Sequence, residues 1–167
     1  LNEGPFAKLL IKLSKIQEQL PTSIELTPLR IAIVATSGSG KTTTALILKD
    51  LLEQRNKTVV VEKLASPLYK IQKVYLNELG VVAQEGVQHQ KLLEHIADGM
   101  RMLSPYALVD NLKRRLDATN SDVILTDDLR DSAVDWPALV SEGYLILKVQ
   151  CDEYIRLKRL SNRNDLQ

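Results

Sequence analysis

Cysteine is nearly absent from this chain. Cys151 is the only one in 167 residues, so neither an intrachain disulfide nor a multi-cysteine zinc site can form. A reducing, cytoplasmic setting is the expectation that follows. Aromatic residues are also scarce, at 4%, which argues against a stacking platform for single-stranded nucleic acid. Charge of one sign is not in excess: 22 Lys+Arg against 21 Asp+Glu leave a net +1, too little for a dedicated duplex-binding surface. No apolar run approaches the roughly 18 residues of a membrane span, and the N-terminal segment does not read as a signal peptide. Neither nucleic acid nor a membrane is therefore expected as a partner. What remains is an ordinary globular composition, 44% hydrophobic and 26% charged, at a length that suits one domain.

Hydrophobic spacing divides the chain. Phe6, Leu9, Leu10, Leu13, Ile16 and Leu20 recur at helical intervals, and Pro21 ends that helix ahead of a linker to Pro28. This N-terminal helix and linker, residues 1–29, are expected to lie on the domain or, as a second possibility, to form a dimer contact. Leu29 to Ala35 is almost uninterruptedly apolar, as a strand buried on both faces must be. A turn from Thr36 to Gly40 leads into a helix from Thr42 to Arg55, and Thr58 to Val61 reads as a second strand. Leu68 to Leu116 is helical in pattern, broken at Gly80–Gly86 and at Ser104–Pro105. Asp122 to Thr126 and Tyr144 to Val149 supply two more strands, with a helix from Trp136 to Glu142 between them. Gly143 suits that helix's C-terminal cap, and Asp152 suits the N-cap of a final basic helix. Strands alternating with helices predict an α/β fold with a mostly parallel sheet of at least four strands.

The densest signal is Ala35-Thr36-Ser37-Gly38-Ser39-Gly40-Lys41-Thr42, set between a strand and a helix. That context is what a phosphate-binding P-loop requires. Gly38 and Gly40 permit backbone angles that turn successive N–H groups inward, and the following helix adds the positive end of its dipole. Ser37, Gly38, Ser39, Gly40, Lys41, Thr42 and Thr43 are the expected nucleotide contacts. Lys41 can reach the terminal phosphates, and the Thr42 hydroxyl can ligate Mg²⁺. Ala35 stands where the usual pattern has its first glycine; a small residue suffices there because the close phosphate contacts come later in the loop. The expected ligands are ATP and Mg²⁺, within a three-layer P-loop NTPase fold.

The alternatives within that fold narrow quickly. A guanine-reading N-K-x-D is missing, since Asn56-Lys57 is followed by Thr58-Val59. Motor and AAA-type ATPases are normally longer. Small nucleotide and metabolite kinases remain. Asp127 and Asp128 end the third strand, at the edge where open α/β sheets bind their ligands. A carboxylate there can hold Mg²⁺ or orient an acceptor oxygen, and Arg130 is suited to grip an acceptor phosphate bidentately. An acidic helix cap with a surface arginine is the plainer alternative. Arg156, Arg159 and Arg163 share one face of the last helix at helical spacing, which could equally be a solvated basic face. Arg101 and Lys91 could reach an acceptor phosphate and Tyr69 could stack on a base, or they could serve as surface ion pairs and a half-buried aromatic. His89 and His95 have no partner at ligand spacing, and Cys151 and Trp136 read as packing residues.

The P-loop, Leu64-Ala65-Ser66-Pro67-Leu68, Lys91-Leu92-Leu93-Glu94-His95-Ile96 with Arg101, and Val123-Ile124-Leu125-Thr126-Asp127-Asp128-Leu129-Arg130 together resemble a known family. It is that of the bacteriophage-type deoxynucleoside monophosphate kinases, near the dephospho-coenzyme A kinases. The resemblance runs from about Arg30 to Arg163. It implies an ATP- and Mg²⁺-dependent phosphotransferase, monomeric or homodimeric, acting on a small phosphorylated acceptor, in first place a (deoxy)nucleoside monophosphate. Dephospho-coenzyme A or another small metabolite is the next candidate acceptor. In this reading Lys41, Asp128, Arg130, Arg159 and Arg163 are catalytic, Thr42 and Asp127 serve the metal, and the last helix opens a lid. Two departures fall on the acceptor side: Ser66 replaces an acid, and Ser132-Ala133-Val134-Asp135 replaces an Asn-Glu pair. They sustain a competing expectation, a non-catalytic ATP-binding module. The family also carries a fifth strand and a closing helix beyond the lid arginines, so residues 30–167 are expected to form a kinase-like domain lacking its C-terminal end.

Overall fold

The computed structural model describes residues 28–82, 87–117, 119–129 and 133–161. The expected N-terminal helix, Arg130 and Arg163 lie outside these. Ten elements follow in order: β1 (Leu29–Val34), α1 (Lys41–Glu53), β2 (Val59–Val61), α2 (Ser66–Glu78), α3 (Gln90–Leu103), α4 (Ala107–Leu116), β3 (Val123–Thr126), α5 (Asp135–Ser141), β4 (Leu145–Lys148) and α6 (Glu153–Ser161). The four strands form one parallel sheet in the order β2-β3-β1-β4. The expected α/β class is therefore observed.

Alternation along β1 builds the three layers. Ile31 and Ile33 join Ala45 and Leu48 of α1, with Val123 and Leu125 of β3, on one face. Ala32 and Ile124 point the other way, into a larger cluster with Leu68, Leu93, Leu108, Leu112 and Leu139. Both faces of the central strands are thus covered, as an all-parallel sheet demands. Burying each such leucine contributes on the order of 1.5–3 kcal/mol, so these two clusters are the main support of the fold.

Helix ends follow local chemistry. Pro67 occupies the first turn of α2, where its missing N–H costs nothing. After α5, the N–H of Gly143 donates to Val140 and that of Tyr144 to Leu139, closing the helix as expected. Asp152 accepts from the N–H of Ile155 at 3.3 Å, so it does cap the final helix.

At the opposite end of the sheet from the loop after β1, side chains pin the strand starts. Asp122 Oδ2 accepts from the Thr58 N–H at 2.7 Å and the Thr58 hydroxyl at 2.9 Å, joining β2 to β3. The Thr58 backbone bond, then its hydroxyl, hold the Asp122 carboxyl below its usual value. A lowered pKa in the folded state adds stability that is complete above the unfolded value, near pH 4, and is lost as pH falls through the folded one. Replacing Asp122 by Ala should therefore lower the Tm at neutral pH. The gap to the wild-type Tm should narrow progressively below about pH 4 in a melting series across pH.

Candidate nucleotide-binding site

The chain reverses between β1 and α1 within six residues, and two glycines make this possible. Gly38 and Gly40 have φ of +83° and +92°, a region that side-chain-bearing residues enter only with strain. Inside the turn, the Ser39 N–H donates to the Thr36 carbonyl at 3.2 Å, and the Thr36 and Ser39 hydroxyls meet at 2.8 Å. Lys41 Nζ folds back to donate to the Ala35 carbonyl at 2.8 Å, spanning the loop. Ala35 thus contributes its carbonyl, which any residue could supply.

Helix α1 starts at this turn with no side-chain cap and no acid in its first turn. The amides of its first turn have no intrahelical acceptors, and the dipole leaves partial positive charge there. Thr42 and Thr43 are exposed at this helix start, while Ser39 is buried. A glycine-turned loop, a lysine and a hydroxyl at one uncapped helix start are suited to a polyphosphate with an accompanying cation.

Helix α6 closes the other side of the loop. Arg156 and Arg159 each extend an Nη1 toward a loop carbonyl, of Ser37 at 3.5 Å and Gly38 at 3.4 Å. These are long contacts that position more than they bind. A Cβ on Gly38 would sit 3.0 Å from both the Arg156 carbonyl oxygen and Leu160 Cγ, so the absence of a side chain is what lets α6 approach. Arg159 and Arg156 therefore both lie against the loop.

The two acids after β3 are both buried but have different surroundings. Asp128 accepts from the N–H groups of Leu64 at 2.6 Å and Ala65 at 3.1 Å, fastening the segment that leads into α2. Asp127 is 2% exposed, and its Oδ1 has no hydrogen-bond partner among the described residues. The charge facing it is Lys63, whose Nζ lies 3.9 Å away. Among the described residues no cluster of three or more His, Cys, Asp or Glu could hold a metal by itself.

Several acceptor-side candidates have structural partners. Arg101 pairs with Asp135 at 3.0 Å, and the side chains are only 16% and 1% exposed. This ties α3 to α5. Lys91 is exposed at the start of α3, and Tyr69 is half-buried against the larger core. His95 Nδ1 lies 2.7 Å from the Lys91 carbonyl, within its own helix. Two side chains escaped the sequence reading: Lys63, and Arg115, which pairs with Glu62 and donates to the Lys63 carbonyl at 2.6 Å. The available signal was position, since Glu62-Lys63 directly follow β2 at the edge where the P-loop lies.

No protein-family model matches the chain, and no curated protein matches it. Among solved structures it is similar to AMPPCP-bound DnaA from Aquifex aeolicus, with a TM-score of 0.38 and 15% identity. That likeness covers 98% of this chain and 52% of that one, so this chain spans about half its length. The fold assignment stands on the parallel sheet and the loop geometry, not on this likeness.

Two outcomes test the site's construction. Gly38→Ala should cost about 1–3 kcal/mol in urea unfolding, because it forces a side chain into a positive φ and against α6. Asp135→Ala should cost about 3–5 kcal/mol in the same assay by leaving the Arg101 guanidinium buried without its counter-charge.

Proposed function

We propose that this chain is an ATP- and Mg²⁺-dependent phosphotransferase acting on a small phosphorylated acceptor, with a (deoxy)nucleoside monophosphate first among the candidates. The observation that carries the reading is the glycine-turned loop, spanned by Lys41, at the uncapped start of α1. The amides from Ser37 to Thr43 bind the donor phosphates, and Lys41 leaves the Ala35 carbonyl to meet their terminal charge. Arg159 neutralises charge that develops on the transferring group, and Arg163 shares that role. Arg130 orients the acceptor. Asp128 supports catalysis by holding the acceptor-side segment at Leu64 and Ala65, as a positioning residue.

Mg²⁺ fits the residues present. Thr42 offers an exposed hydroxyl at the helix start, and Asp127 offers a buried carboxylate oxygen that lacks a hydrogen bond. When bound, the ion would neutralise phosphate charge during transfer. Phosphoryl transfer leaves a protein little covalent chemistry, so these side chains act by positioning and by charge. The terminal phosphoryl passes to an acceptor oxygen and ADP leaves. A lid that includes α6 would exclude water and so suppress futile hydrolysis.

Two observations favour a second reading. Arg101, a candidate acceptor contact, is held by Asp135, and Ser66 starts α2 where related kinases carry an acid. A chain with such an acceptor side could bind ATP without transferring phosphate. Dephospho-coenzyme A is the alternative acceptor within the kinase reading.

A coupled ADP-release assay over deoxynucleoside monophosphates, dephospho-coenzyme A and simple alcohols separates these readings. The kinase reading predicts that one acceptor class raises ADP release well above background, and that Lys41→Met lowers that rate about 10²–10³-fold. No stimulation by any acceptor, with ATP still bound, would establish the binding module instead. A Lys41→Met protein with full phosphotransfer would overturn the mechanism.

A further inference from the structure

Asp127, the carboxylate proposed for the metal, forms a pair with Lys63, which has no part in that proposal. Asp127 ends β3 and Lys63 follows β2, so the parallel pairing of these neighbouring strands brings the two together. The Asp127 side chain is 1% exposed, whereas that of Lys63 is 43% exposed. One partner is fixed and dry, and the other has a solvated, flexible stem. The Lys63 backbone is not free to move: its carbonyl accepts from Arg115 at 2.6 Å and from the Ser66 N–H at 3.2 Å. Only the side chain can swing.

A buried carboxylate oxygen without a hydrogen bond is costly unless a cation offsets it. At 3.9 Å, Lys63 supplies that cation from the direction of the sheet edge where the phosphates are proposed to bind. Asp128 cannot exchange roles with Asp127, because its oxygens are engaged by the Leu64 and Ala65 amides. An ammonium and a divalent ion drawn to one carboxylate repel one another at close range, so each weakens the binding of the other. We infer that Lys63 is an internal counter-ion for Asp127 that competes with the divalent cation, and that loading of metal with nucleotide requires the Lys63 side chain to swing away into water. The inference rests on the nucleotide-binding reading and deepens it. Lys63 acts here as a positioning residue, and it delays metal occupancy until a phosphate ligand adds its own charge.

Two measurements test this, with Mn²⁺ as the probe. In EDTA, without nucleotide, Lys63→Met should lower the Tm relative to wild type. The same substitution in an Asp127→Asn background should not, because the carboxylate charge is already gone. With protein saturated by a non-hydrolysable ATP analogue, free Mn²⁺ is followed by electron paramagnetic resonance. Lys63→Met should then bind Mn²⁺ about three- to tenfold more tightly than wild type, whereas Lys63→Arg should keep the wild-type affinity. Equal or weaker Mn²⁺ binding by Lys63→Met, or an unchanged gain in the Asp127→Asn background, would overturn the inference alone. Failure of the wild type to bind the analogue, with or without Mn²⁺, would overturn the nucleotide reading as well, so the two failures are distinguishable.

Discussion

Parallel pairing of β1 with β3 is the constraint on which the site depends. With Ala32 opposite Thr126, the strands run out together, one into the glycine loop and the other into Asp127 and Asp128. Groups 90 residues apart in the chain thereby share one sheet edge. β2 ends on the far side of β3 and adds Lys63, while β4 ends beside β1 and delivers α6 to the loop. A register slip of one residue would exchange the faces of Ile31 and Ala32, so the two cores that stabilise the sheet also fix the site's geometry.

Electrostatics at that edge is arranged by burial more than by the number of charges. Two adjacent acids are both removed from water, yet one is satisfied by backbone amides and the other, among the described residues, faces a half-solvated lysine. The first acts as part of the scaffold and joins the segment leading into α2 to β3. The second is the carboxylate proposed to serve a cation. On the loop side, α1 begins with neither a capping side chain nor an acid, although either would stabilise an isolated helix. Local stability has been forgone where an anion is proposed to bind, which is common at functional sites.

Much of this was legible in the residues. The unbroken apolar run of Leu29 to Ala35 marked a doubly covered strand, and Gly38, Gly40 and Lys41 marked the turn and its chemistry. Asp152 and Gly143 declared helix ends, because capping is a local matter. The division of labour between Asp127 and Asp128 was not legible, since it depends on which carboxylate meets the Leu64 and Ala65 amides across the sheet. The Arg101–Asp135 pair was hidden for the same reason: its members are 34 positions apart and nothing local links them. Lys63 looked like any charged residue after a strand. Its distinction comes from a neighbour that only strand pairing reveals. The placement of α6 on the loop required knowledge that β4 lies next to β1.

The central claim is that the loop from Ser37 to Thr43 is a polyphosphate cradle, and amide hydrogen exchange reads it directly. Adding Mg²⁺–ATP should slow exchange at the amides of Ser37 to Thr43 while leaving those at the opposite sheet edge, such as Thr58 and Asp122, unchanged. Binding of ATP with no protection in the loop, or with protection centred elsewhere, would contradict the account.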